Sequence, residues 1–433
     1  MTSYNPSASP FRRAGAIAAT VVAAVGLGLV PGSQATASSD VLPLGDTNLT
    51  ETRVITPLTS GVTLTHIVRG TEPAPADQIN TTTRGPWVVN VLTIDPKKTS
   101  GHLAATYGPD LAGVETTTDL VRSAGALAGV NASFFTFTAS AQYPGDPVGL
   151  GLFDGKLLSE PGTDAAEVDV VVDANTNKVV LMGRLQWTGT VKNVRTKATM
   201  PLEFINHPPV VPAGCAALTD QTRCTVPGDV VQFTPEFAAA TPSGPGVEVV
   251  LDGRGCVVRT STTRGTALTP DQTSLQATGQ DALTLLNVAN GCVKQTNTLV
   301  NEKGNKLNLR PGLFGVNGRY RLTAGGEIVV PVGSPSDSFF ARNPRTIVGT
   351  TRDGRIVLAT IDGRMTSSVG TTMAETAMVA DALGLRDAMN LDGGGSTTMS
   401  VEGELVNQPS GGSQRGVGDA LVFVNGPVGA QAR

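Results

Sequence analysis

Three consecutive glycines, Gly393, Gly394 and Gly395, follow directly on Asn390-Leu391-Asp392 and lead into Ser396-Thr397-Thr398. Such a run cannot sit inside a regular helix or strand without loss, since each glycine costs about 1 kcal/mol against alanine there. The short apolar runs on either side, Ala388-Met389 and Met399-Ser400-Val401, read as strands. The stretch is therefore read as a strand end that delivers a carboxylate to a bare backbone surface. Glycine admits positive φ there and lets a ligand approach the main chain closely.

The rest of the chain must build and screen that loop. Its 433 residues exceed what one ordinary core fills, so one large domain with an insertion, or two domains, is expected. Residues 1–37 read as a signal peptide: Arg12 and Arg13 precede the apolar run 14–30, and Ala35-Thr36-Ala37 offers a small-residue cleavage site. That run is short for a membrane span. Its removal leaves 30 basic against 36 acidic side chains, net −6, which excludes the basic footprint of a nucleic-acid binder. No second long apolar segment follows, so no stable membrane span is expected after cleavage. The expected location is secreted, either extracellular or in the cell envelope.

The four cysteines, Cys215, Cys224, Cys256 and Cys292, all lie after the signal. Four allow three pairings. Proximity favours Cys215 with Cys224 and Cys256 with Cys292, and an exported chain with an even count points to disulfides. A zinc site has little support, because there is no CxxC and only His207 of the three histidines lies nearby.

Along the chain, residues 38–80 form a polar extension with one alternating strand at 62–68. Residues 87–94 read as a strand stopped by Asp95-Pro96, and residues 111–129 as a helix with N-caps at Thr116, Thr117 or Thr118. Residues 149–158 and a hairpin over 168–181 continue as β. Residues 190–310 are rich in Thr, Pro, Gly and cysteine and read as a β-rich insertion or subdomain. Regular order is expected to return at Gly325. Asp353-Gly354 between apolar runs signals a hairpin. Thr372-Met373-Ala374-Glu375 is a capping box opening a helix that Gly384 stops. The fold class expected is α+β: mixed or antiparallel sheets, a few packed helices and a disulfide-bearing, β-rich insertion.

Two strands, 356–361 and 388–391, end in Asp-Gly and are joined by a helix. As neighbours in one sheet they would bring Asp362 and Asp392 out of the same edge, where ligands commonly bind. Two carboxylates flanking one bond are the equipment of glycoside cleavage. Asp-Gly is also a common turn dipeptide, so either aspartate can serve only its own loop. Arg342, Arg345, Arg364 and Arg415 lie near these positions in sequence or in the expected hairpins, and guanidinium forks suit phosphate or carboxylate. Asn131, before Phe134-Phe135, reads either as a turn residue or as part of the site.

These segments together resemble the phosphodiester glycosidase family. The resemblance rests on Asn390-Leu391-Asp392-Gly393-Gly394-Gly395-Ser396, on residues 129–135, on Arg342-Asn343-Pro344-Arg345-Thr346, on Asp362-Gly363-Arg364, and on Asn407-Gln408-Pro409 with Arg415. It implies a catalytic domain over 81–189 and 311–433, flanked by the extension 38–80 and interrupted by 190–310. It also implies hydrolysis of the bond between a sugar anomeric carbon and a phosphodiester oxygen. By resemblance, Asp392 and then Asp362 are the catalytic candidates. Arg345 and Arg364 would bind the phosphate, Asn131 would position the sugar, and the backbone of Gly393, Gly394 and Gly395 would line the pocket, with Arg342, Ser396 and Arg415 as further substrate-binding candidates. A glycan or sugar phosphate is the expected partner. The sequence requires no cofactor, leaves a divalent cation open, and is silent on oligomeric state. The competing reading is a non-catalytic envelope-glycan binding or polysaccharide-assembly protein.

Overall fold

In the computed structural model the described residues are 41–334 and 336–428; the expected signal peptide lies outside them. They are mostly β, with three α-helices, so the α+β expectation holds only in outline. The centre is a twelve-stranded sheet in which every pairing is antiparallel. Its main path runs Glu51–Thr59, Val62–Arg69, Trp87–Ile94, Ile356–Ile361, Arg345–Thr351, Leu385–Asn390, Leu313–Ala324, Gly151–Phe153, Lys156–Ser159. The hairpin Glu167–Asp173 with Lys178–Gly183 also joins it through Leu313–Ala324.

The central strands are apolar on both faces because both faces are covered. Successive side chains of a strand point to opposite sides. Leu92, Ile94, Val348, Leu358 and Met389 face a five-stranded antiparallel sheet that contributes Leu103, Val130, Met399, Leu421 and Phe423. Val89, Val91, Ile347, Val357, Ala359 and Ala388 face the other way, toward the helix Met373–Ala382 through Met373, Ala377, Val379 and Ala380. The capping box closes that helix: Thr372 Oγ1 accepts from the Glu375 amide and Glu375 Oε2 accepts from the Thr372 amide.

Residues between 185 and 307 form two further sheets and the helix Asp281–Val288 around a separate apolar cluster. Both disulfides lie there, Cys215–Cys224 and Cys256–Cys292, in the pairing that proximity favours.

Three expectations change. The helix expected over 111–129 is only Thr117–Ser123, capped by Thr116. Gly125, at φ 59°, ends the turn, and Ala128–Asn131 becomes a strand between Met399–Val401 and Asp419–Val424. Order does not wait for Gly325: Leu313–Ala324 is a twelve-residue strand that pairs with four others. Finally, Ile356–Ile361 and Leu385–Asn390 are not neighbours. Arg345–Thr351 lies between them, antiparallel to both, so the two run parallel and still end at the same edge.

Candidate functional site

At that edge the Asp392 loop is clamped from below. The Leu391 amide donates to Thr346 O, the Asp392 amide to Ala132 O and the Gly394 amide to Pro344 O, each at 2.9 Å. Asn131 lies under the loop and is fully buried. Its Nδ2 donates to the Asp392 carbonyl at 2.7 Å, while its Oδ1 accepts from Thr346 Oγ1 at 2.8 Å and the Thr398 amide at 3.1 Å. The resemblance implied that Asn131 positions the sugar; here its side chain is buried under the loop and its amide holds the Asp392 carbonyl.

The glycines make room for cations. Gly394 turns at φ 61°, and a Cβ there would meet the Arg364 guanidinium at 3.3 Å. A Cβ on Gly395 would fall 2.3 Å from Arg415 Nη2. Arginine heads can therefore close over the loop only because it carries no side chains.

The result is a basin of about 230 Å³ lined by Asp392 and the three glycines, by Arg345, Arg364 and Arg415, and by Asn343, Asn390, Phe134, Ser338 and Phe339. Its charge is three cations against one carboxylate. Asp392 Oδ1 accepts from the Gly393 amide at 2.9 Å, and the Ser396 side chain also bonds the carboxyl. Burial raises the Asp392 pKa to about 6, outweighing Ser396, Arg415 and Gly393, with buried Asp419 adding to the rise. The group sits within reach of both protonation states near neutrality.

Arg345 is buried, and its Nε and Nη2 donate to the carbonyls of Thr371, Phe339 and Ala341. Burial, with Arg364 nearby, lowers its pKa to about 10. Arg364 is exposed and donates through Nε and Nη2 to Asn343 Oδ1. Arg415 reaches Ser396 Oγ at 3.4 Å and covers the Phe137 ring at 4.5 Å. Asn390 Oδ1 is buried without a hydrogen-bond partner.

Three further expected site residues lie outside the basin, and Ser396 is one: it is fully buried, its side chain holding the Asp392 carboxyl from within. Asp362 does not line the basin. Its Oδ1 accepts from Asn407 Nδ2 and its Oδ2 from the Gln408 amide, both at 3.0 Å, and burial raises its pKa to about 6. It ties the Asn407-Gln408 segment to the sheet edge, so the two aspartates do not face one bond. Arg342 pairs with Glu375 at 2.8 Å, donates to Gly370 O and lies over Trp87, outside the basin. Asp419 was not singled out in the sequence. It accepts from the Ser133 amide and hydroxyl at 2.7 and 2.6 Å beside Asp392, and its position at the head of the last apolar strand was the available signal.

A second cluster has the spacing of a serine relay. Ser159 Oγ lies 3.3 Å from His207 Nε2, and His207 Nδ1 lies 2.8 Å from Asp146 Oδ2. It lacks the chemistry. Ser159 is fully buried and donates to Gly149 O at 2.7 Å. Burial would lower the His207 pKa, but Asp146 and Glu160 hold it up at about 9, so the ring is a cation rather than a base. Among the described residues no group of three or more His, Cys, Asp or Glu is arranged to hold a metal ion, and no helix is long and apolar enough to cross a membrane.

The chain resembles the phosphodiester glycosidase family, whose model matches residues 245–424. The SPbeta prophage-derived uncharacterized protein YomE of Bacillus subtilis (strain 168) is 39% identical over 82 residues, 19% of this chain and 13% of that protein. The chain thus spans only a small part of that relative's length. A crystal structure of a protein from Burkholderia pseudomallei K96243, predicted to be exported, is similar at 26% identity with a TM-score of 0.74, over 89% of this chain and 98% of that one. A hypothetical protein from Synechocystis shares the fold at 16% identity with a TM-score of 0.62, over 87% and 68%. The catalytic domain of zebrafish N-acetylglucosamine-1-phosphodiester alpha-N-acetylglucosaminidase aligns at 12% identity with a TM-score of 0.41, over 87% and 88%.

Proposed function

We propose that this chain is a secreted glycosidase that hydrolyses the bond between a sugar anomeric carbon and a phosphodiester oxygen, on envelope or extracellular glycans. One observation carries the reading: a single carboxylate of raised pKa shares a 230 Å³ basin with three arginines. Such a charge set suits a ligand that is anionic on one side and develops positive charge on the other. Arg345, Arg364 and Arg415 hold the phosphate, and the bare backbone of the glycines lets it approach. Asn390 also lines the basin.

In the reaction, water oxygen bonds to the anomeric carbon, the bond from that carbon to the phosphodiester oxygen breaks, and the proton that water gives up passes to the departing phosphate or to solvent. The electron pair leaves with the phosphate, giving free sugar and a phosphomonoester. Ionised Asp392 faces the positive charge that builds at carbon, and the arginines stabilise the charge leaving on phosphate. A phosphate departs without a strong acid, so one carboxylate in the basin suffices where an alkoxide leaving group would call for two. In this reading residues 81–189 and 311–433 carry the site, and 190–310 form a subdomain at its side. The two disulfides support passage through an oxidising compartment.

The test is product analysis on a panel of sugar phosphodiesters, aryl esters and UDP-sugars among them. Reducing sugar should appear together with a phosphomonoester and without inorganic phosphate. Asp392→Asn should lose at least about two orders of magnitude in kcat while remaining folded. Wild-type turnover in that variant would remove Asp392 from the chemistry.

A further inference from the structure

Beside the basin runs a larger groove of about 890 Å³, walled by the strand Leu185–Asn193, by Phe204 and by residues 160–164. We infer that this groove is a binding site for an uncharged oligosaccharide, the part of the substrate that continues beyond the phosphate. The inference rests on the phosphodiester glycosidase reading for the link to the basin, but the groove's ligand chemistry is read from its own walls.

Size makes the first argument. The basin falls below the roughly 300–1,000 Å³ that ligand pockets usually occupy, so it holds the reacting end of something longer. The groove lies within that range. The two meet at a cation–π contact: Arg319 lines the groove, and its guanidinium covers the Phe134 ring at 5.3 Å, while Phe134 lines the basin. Thr136, two residues on from Phe134, already belongs to the groove wall. A chain leaving the basin across Phe134 enters the groove directly.

The walls make the second. Trp187 is part-exposed and fixed in place, its Nε1 donating to Asn297 Oδ1 at 3.2 Å. Its ring lies against Gly189, where a Cβ would come within 2.4 Å of Trp187 Cζ2. A side chain at 189 would lift the indole; glycine lets it lie flat on the strand. Phe204, 37% exposed, stands edge-on to the cationic His207 ring at 6.0 Å. Aromatic rings are few in this chain, 4% of residues, and two of them wall one groove. A held amphipathic ring offers large contact area at little cost in side-chain freedom, which suits the apolar faces of sugar rings.

Charge selects the class. Among the lining residues, the carboxylates of Asp164, Glu203 and Asp229, with Glu160 and Glu167, outnumber Arg184, Arg319 and His207. That is the opposite balance to the basin. Carboxylates accept hydrogen bonds from hydroxyls and repel anions, so the groove favours a neutral polyhydroxylated chain over a second phosphate or an acidic polymer.

The chain has two tryptophans, and Trp87 is fully buried, so a change in indole fluorescence on ligand addition reports Trp187. Titrating the full chain with maltohexaose, cellohexaose and chitohexaose should give a saturable change with at least one of them and none with polyphosphate. Trp187→Ala should lower kcat/KM at least tenfold for a sugar phosphodiester carrying an oligosaccharide, leave a methyl phosphodiester of the same sugar unchanged, and be largely rescued by Trp187→Phe. No saturable change with any of the three oligosaccharides overturns the inference, as does an equal effect of Trp187→Ala on both substrates. If no phosphodiester is turned over, the catalytic reading fails, and the wild-type fluorescence titration still decides whether the groove binds sugar.

Discussion

Replacing Asn131 separates a residue that holds the Asp392 loop from one that binds sugar. Its side chain makes three hydrogen bonds inside the protein, to the Asp392 carbonyl, the Thr398 amide and the Thr346 hydroxyl. Asn131→Ala leaves the carbonyl and the amide without partners, since only the hydroxyl can turn away. Each orphaned buried group costs about 1–3 kcal/mol, so the variant should be less stable by roughly 2–6 kcal/mol. Asn131→Asp keeps the shape but puts an oxygen where Nδ2 stood, 2.7 Å from the Asp392 carbonyl oxygen. That contact is tolerable only if the new carboxyl keeps its proton, so its pKa in the folded state rises. Stability is then near wild type at low pH and falls by about 1.4 kcal/mol per pH unit between the unfolded and folded pKa values. Urea denaturation from about pH 4 to pH 8, against wild type as reference, reads both effects. Wild-type stability in Asn131→Ala with a raised KM alone would restore Asn131 as a sugar ligand and refute the argument from burial.

Asp362, Asp392 and Asp419 each titrate at about 6 because they are buried. A raised folded pKa means stability is fully present below the unfolded value and lost as pH rises through the folded one. Each group should contribute about 1.3 kcal/mol more at about pH 5 than at pH 7, and Tm should rise on mild acidification; a Tm flat or falling over that window contradicts the burial argument. Arg415→Ala removes a cation that holds the Asp392 pKa down. The ascending limb of the kcat/KM profile, expected near Asp392's own value of about 6, should move to higher pH, and KM should rise about tenfold or more; an unmoved limb separates Arg415 from Asp392. Reducing the disulfides opens loops spanning 9 and 36 residues. Chain entropy alone puts the losses at about 2.6 and 3.8 kcal/mol, so Cys256→Ser with Cys292→Ser should lower stability more than the Cys215/Cys224 pair in urea titrations.

The elements that sequence reveals here are those whose signals are local. Trp87–Ile94 is bounded by Asp95-Pro96, the turn at Asp353-Gly354 joins two apolar runs, and Thr372 and Glu375 cap the helix they begin. Leu313–Ala324 was hidden because Gly315, Asn317, Gly318, Arg319 and Arg321 break its alternation, and its pairing with Leu385–Asn390 shifts register twice. The triglycine loop and the arginines over it were legible as residue types. Which arginine faces the ligand was not, because that depends on partners distant in the chain: Glu375 takes Arg342, and Asn407 with Gln408 takes Asp362. The motif segments nevertheless meet. Residue 131 bonds the loop at 392, residue 343 bonds Arg364, and residue 362 bonds residues 407 and 408.

A basin of arginines and one carboxylate can in principle break either bond of a sugar phosphodiester, the one to carbon or the one to phosphorus. Hydrolysis in water enriched in oxygen-18, followed by mass spectrometry of both products, tells them apart. Attack at the anomeric carbon places the label on the free sugar and leaves the phosphomonoester unlabelled, and this is the predicted result. Label in the phosphomonoester, with an unlabelled sugar, would show cleavage at phosphorus and contradict the glycosidase assignment.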